Sequence, residues 1–157
     1  MKITNIVARW PGSCHDSRIF RNSVIKEVLV SGTFSGHLIG DSGYACSRYL
    51  LTPVVNERTP AERRYNAAHK SARNVIERVF GSWKKRFPCL HYTLRTKVST
   101  TLKIIVASAI LHNIAVERAE EEFNEALEEG EVVIEADEAD RPEGLRWREH
   151  FIRTHFT

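Results

Sequence analysis

His37-Leu38-Ile39-Gly40-Asp41-Ser42-Gly43-Tyr44 is a short apolar run that delivers an aspartate into a glycine-rich turn. It reads as a buried strand with a carboxylate at its C-terminal end, where open α/β sheets bind ligands. Asp41 is therefore the first candidate site residue. Spacing alone leaves open that it is a turn residue bonding its own backbone.

Upstream, Lys2 to Arg9 is β-branched and partly alternating, which predicts a strand ended by Pro11-Gly12. Ser13-Cys14-His15-Asp16 has capping-box spacing with Ser13 as N-cap. Ile19, Phe20, Val24, Ile25 and Val28 then predict one helix to about Val30. Downstream, Leu50 to Val55 is a further strand, which Pro53 confines to an edge or makes irregular.

Thr59-Pro60-Ala61-Glu62 combines an N-cap, a proline at the first helical position and a glutamate three residues after the cap. The apolar stripe Tyr65, Ala68, Ala72, Val75, Ile76, Val79, Phe80 and Trp83 carries that helix to about Arg86. Ser99 or Thr100 opens a last long helix. It is apolar nearly all round and so is expected to be buried. The organisation predicted is a first domain over 1–116, an acidic extension over 117–143 fading from helix into disorder, and a short amphipathic C-terminal helix over 144–157.

The chain has 157 residues, 42% of them apolar and 27% charged. That suits one globular domain and excludes a fibrous repeat or a wholly disordered chain. The longest mainly apolar run, Ile104 to Leu111 with Ser108 inside it, is well short of the roughly 20 residues of a membrane span, so no membrane partner is expected. The N-terminus carries no secretory pattern, and three cysteines suggest free thiols in a reducing compartment. Charge is divided: residues 1–116 hold 18 Lys and Arg against 6 Asp and Glu, and 117–157 hold 5 against 14. A basic body suits a phosphate backbone. The acidic run reads equally as a solvated tail.

Glu77 is the second candidate. It lies on the flank of the long helix's apolar stripe, with Arg73 and Gly81 one turn to either side. With Asp41 it could supply oxygen ligands to hard divalent cations. The plainer alternative is an Arg73–Glu77 surface pair worth a few tenths of a kcal/mol. His15 and Asp16 could support such a site. Tyr65, Asn66 and His69 could face a substrate, although a packed tyrosine and a surface histidine explain them as well. Trp83-Lys84-Lys85-Arg86-Phe87 interleaves cations with aromatics, as nucleic-acid contacts do. No cysteine and histidine spacing fits zinc.

Longer motifs add a resemblance. Pro11-Gly12-Ser13-Cys14-His15-Asp16-Ser17-Arg18-Ile19-Phe20, Gly40-Asp41-Ser42-Gly43-Tyr44, Arg73-Asn74-Val75-Ile76-Glu77-Arg78-Val79-Phe80-Gly81 and Leu111-His112-Asn113 occur in this order. Together they resemble Harbinger-type transposases and the nucleases derived from them. The resemblance covers residues 1–116 and, more weakly, the C-terminal Arg148-Glu149-His150-Phe151-Ile152-Arg153-Thr154-His155-Phe156 segment.

It implies an α/β, RNase H-like DDE nuclease core with an acidic helical extension. It implies Mg²⁺ or Mn²⁺ as cofactor, DNA as substrate, and phosphodiester hydrolysis with Asp41 and Glu77 as metal ligands. Arg73, Lys84, Lys85 and Arg86 become candidate DNA contacts, and His15 and Asp16 supporting residues. It further implies a Myb-like partner and a nuclear location, with the cytoplasm as second compartment. The family's first aspartate has no counterpart, since residues 1–9 contain no acid. The chain is therefore expected to be a fragment lacking its first strands, marginally stable and inactive alone. The alternative is a non-catalytic DNA- or protein-binding relic.

Overall fold

Two short strands, β1 (Leu38–Ile39) and β2 (Leu50–Leu51), pair in parallel, with Leu38 opposite Leu50 and Ile39 opposite Leu51. They belong to a computed structural model that describes residues 1–10, 12–118 and 142–157. The remaining elements are helices: α1 (Asp16–Arg21), α2 (Val24–Val30), α3 (Pro60–Arg86), α4 (Val98–Glu117) and α5 (Pro142–His155), with a 3₁₀ turn at Pro88–Leu90. The architecture is thus mixed and mainly helical, with a small parallel sheet of two strands among the described residues. The expected acidic extension falls largely outside the described residues. The chain forms two units: Gly12–Arg73 with Glu131–Thr157, and Met1–Pro11 with Asn74–Gly130.

In the unit built on Gly12–Arg73, β1 ends at the Asp41 turn and β2 lies on its other side. Both leucines of β2 are buried. The predicted strand over 50–55 stops at Leu51 because the groups beyond it bond elsewhere. Asn66 takes both backbone groups of Val54, its Oδ1 accepting the N–H at 2.9 Å and its Nδ2 donating to the carbonyl at 2.8 Å. Tyr65 donates its hydroxyl hydrogen to the Thr52 carbonyl at 2.8 Å. Arg148, buried on α5, donates to Thr52 Oγ1 at 3.0 Å and to the Pro53 carbonyl at 2.9 Å. The C-terminal helix therefore docks back on the end of β2. Gly144 makes this possible, because a Cβ there would overlap the Cys46 carbonyl group.

The single helix expected from a Ser13 cap to about Val30 is two helices. Asn22 turns its side chain back to the Arg18 carbonyl at 2.8 Å, and Ser23 to that of Phe20 at 2.6 Å. Ser23 also accepts the Lys26 N–H and so caps α2. Such side-chain bonds compete with continued helix. The N-cap of α1 is His15, not Ser13. The start of α3 is as expected: Glu62 Oε2 accepts the Thr59 N–H at 2.8 Å, and Thr59 Oγ1 accepts the Glu62 N–H at 3.2 Å.

In the unit containing Asn74–Glu117, the second half of α3 buries Val79 and Trp83, and Trp83 Nε1 donates to Ser108 Oγ on α4 at 3.2 Å. Helix α4 departs from expectation. Its buried stripe is Ser108, Ala109, His112 and Ala115, whereas Ile110 and Leu111 are exposed. Small and polar side chains thus form its buried stripe, and several of its large apolar groups stay exposed. The run-length argument also understates α4, which is long and apolar enough by length and composition to cross a membrane, a criterion that core helices meet too.

The predicted strand over 2–9 is absent. Ile3 has no strand partner, and Asn113 on α4 takes both its backbone groups, accepting the N–H at 2.7 Å and donating to the carbonyl at 2.8 Å. Lys2 pairs with Glu117 at 2.7 Å.

Candidate active site

Asp41 lies two residues beyond the end of β1 and is half-buried, but the strand is not the buried one expected, since Leu38 is half-buried and Ile39 exposed in a sheet of only two strands among the described residues. Its Oδ1 accepts the Gly43 N–H at 3.0 Å, and its Oδ2 is 3.7 Å from Nη2 of Arg73 on α3. The turn role and the ion pair therefore coexist. Gly43 is closely approached: a Cβ there would lie 3.1 Å from Asp41 Oδ1 and 3.3 Å from His15 Cε1. Asp41 and His15 thus border the same small space.

His15 is held by its own helix. Its Nδ1 accepts the Ser17 N–H at 3.3 Å and contacts Ser17 Oγ at 2.9 Å. In the neutral ring this places the proton on Nε2, the edge nearer Gly43. Asp16 is exposed in the first turn of α1, where its charge suits the helix dipole. Tyr44 packs edge-on against Phe20 with ring centroids 5.8 Å apart, which joins the α1 motif to the Asp41 turn. Burial pushes the Tyr44 hydroxyl up to about 12, with Asp16 and Asp41 adding to the shift and Arg73 opposing it. His15, Asp16, Asp41, Tyr44 and Arg73 are thereby brought into one neighbourhood.

Tyr65 and His69 are packed inward. Both are buried, and His69 Nε2 lies 3.2 Å from the Leu51 carbonyl. The surface position expected for His69 is therefore wrong. It sits on the turn of α3 that covers β2, and burial lowers its pKa.

Glu77 belongs to the other unit, half-buried on α3 and one turn beyond Arg73 in sequence. It borders a cleft of about 440 Å³ formed with Phe80, Gly81, Lys84, Lys85, Pro88, His91 and Tyr92. Lys84 and Lys85 are exposed there, whereas Arg86 is half-buried with its Nε enclosed. Arg86 is thus the least available of the predicted DNA contacts.

Asp41 and Glu77 each offer carboxylate oxygens, the donor type that hard cations take. Among the described residues no three His, Cys, Asp or Glu side chains gather as a metal cluster. Each carboxylate thus suits such a cation by its donor type.

Such a basic chain, with an aspartate turn at a strand end and a glutamate on the following long helix, has the features of a DDE nuclease. The family model described as "DDE superfamily endonuclease" matches residues 1–113, and the chain belongs to that family. It is 29% identical to human "Putative nuclease HARBI1" and 32% identical to the rat protein of that name, over 99% of this chain and 47% of each relative. "Protein ALP1-like" of Arabidopsis thaliana is 22% identical over 80% of this chain and 35% of its own length. The chain spans about half the length of these curated relatives. No solved structure matches it.

Sequence reasoning missed three structural contributors. Arg148 and Gly144 appeared only as parts of an amphipathic helix, and nothing local signals their role against β2. Tyr92 follows the basic-aromatic stretch and drew no attention, because its partners come from a helix turn and a loop folded together.

Proposed function

We propose that this chain carries the metal-dependent nuclease chemistry of a transposase-derived endonuclease, with Asp41 and Glu77 as carboxylate ligands and DNA as substrate. The observation that carries this reading is the placement of Asp41: a half-buried carboxylate just past a parallel strand, bordered by His15 and Arg73. An RNase H-like core is the fold proposed for the complete domain. Bound Mg²⁺ or Mn²⁺ would activate water and neutralise charge on the phosphodiester. The chain's own groups would position the strand. Arg73, Lys84 and Lys85 supply cations for phosphates, and the Nε2 hydrogen of His15 can donate to a phosphate oxygen beside Asp41. Arg86 is proposed as a further, less accessible DNA contact, and Asp16 as a supporting acid. The partners proposed are DNA and a Myb-like protein, in the nucleus and secondarily the cytoplasm.

The excess of 18 basic over 6 acidic side chains in residues 1–116 favours a second reading, a DNA-binding relic without cutting, because backbone attraction needs no metal. Nicking of supercoiled DNA with Mn²⁺, by the chain joined to a relative's upstream segment and by its Glu77→Gln variant, separates the two, because residues 1–9 supply no acid and the chain alone is expected not to cut under either reading. Nicking that Glu77→Gln abolishes, with DNA binding retained, supports the nuclease. Binding without nicking in both proteins supports the relic.

A further inference from the structure

The cleft beside Glu77 has a second character that phosphodiester cutting does not use. Phe80 is 45% exposed and Tyr92 74% exposed, large aromatic areas to leave in water. Both line this cleft. Its α3 side is set by helical spacing: Glu77, Gly81 and Lys84 repeat one turn apart, and Gly81 contributes no side chain. Trp83 is turned inward to Ser108, while Phe80, with its ring centroid 6.4 Å from that of Trp83, stays on the surface. Across from α3, Tyr92 stands next to His91, their ring centroids 6.1 Å apart.

We propose that this cleft is a stacking subsite for one unpaired nucleobase of a DNA strand. The proposal rests on the nuclease reading and deepens it. Exposed aromatic faces are met by a base only when that base has left its own stack, since a duplex presents edges and phosphates to a protein. Lys84 and Lys85 complement the phosphates on either side of such a base. The volume lies within the 300–1,000 Å³ range of small-ligand pockets, enough for one nucleotide and too small for a duplex. Glu77 at one end would set the unpaired base next to the phosphate being processed.

The test is binding of oligonucleotides carrying 2-aminopurine, unpaired in a single strand or a bulge, or paired in a duplex. Wild type, Phe80→Ala, Tyr92→Ala and Lys84→Ala are compared, with melting curves to confirm that each is folded. The expected result is quenching of the unpaired probe and affinity for unpaired DNA about tenfold above duplex. Phe80→Ala and Tyr92→Ala should lower that affinity by about tenfold while leaving its salt dependence unchanged. Lys84→Ala should instead reduce the salt slope by about one. Salt-dependent DNA binding that ignores both aromatic substitutions overturns the subsite and leaves the nuclease reading standing. A wild-type chain that binds no DNA overturns both. Self-association lost in Tyr92→Ala, with DNA binding unaltered, assigns the cleft to a second copy of the chain and overturns the proposal.

Discussion

Arg73 Nη2 stands 3.7 Å from Asp41 Oδ2, while the other carboxylate oxygen is held by the Gly43 N–H. A cation binding at Asp41 must share that carboxylate with a guanidinium. The pair is about one-quarter to one-third exposed, so solvent screens it, and its net worth lies within about 0–1 kcal/mol. Replacing Arg73 with Met should therefore strengthen Mn²⁺ binding by up to about fivefold. The same change should weaken DNA binding and lower its salt slope by about one. Titrations of both ligands at several salt concentrations check this.

Asn66 and Asn113 each occupy the two backbone hydrogen-bonding groups of one residue, Val54 and Ile3. Asn66→Ala should leave both groups of Val54 unmatched, at about 1–3 kcal/mol. Asn66→Asp would set a carboxylate against the Val54 carbonyl and the Glu57 carboxylate, to both of which Asn66 Nδ2 donates, so it should destabilise at least as much as Ala. Urea melts of the three proteins give the order.

Gly144 has no room for a side chain against Cys46. Gly144→Ala should force α5 away from β2 and destabilise the chain by about 1–3 kcal/mol despite alanine's better helix propensity. A thermal melt equal to or above that of wild type would contradict the docking of α5.

His69 is buried with a lowered pKa, first because burial disfavours its charged form. The unfolded state, with an ordinary value near 6.5, then binds more protons than the folded state. The stability contributed is present above about pH 6.5 and is lost as pH falls toward the folded value. Chemical denaturation between pH 5 and 8 should show this slope, and His69→Gln should flatten it.

The sequence made legible what depends on local chemistry. The Thr59 to Glu62 cap, the long α3, the Asp41 turn at a strand end and the motif order were all readable because each is set by neighbours in the chain. What failed depends on distant partners. Residues 2–9 have the composition of a strand, but an asparagine side chain from α4 takes the bonds of Ile3. Helix α4 is apolar all round, so its composition could not show that Ser108 and His112 form the buried stripe. The break after Arg21 was readable in principle, since Asn22 and Ser23 are residues that bond their own backbone. Of the site, residue types and order were visible. The Asp41–Arg73 approach and the space shared by His15 and Asp41 were not, because they depend on how α1 and α3 pack in the folded unit.

The most direct test of the central claim is Mn²⁺ binding to the wild-type chain, Asp41→Asn and Glu77→Gln, read from the electron paramagnetic resonance signal of free Mn²⁺, with melting curves confirming that all three fold. Each carboxylate, as a ligand, should account for about a tenfold loss of affinity when neutralised. Mn²⁺ affinity equal in all three proteins would contradict the assignment of Asp41 and Glu77 as metal ligands.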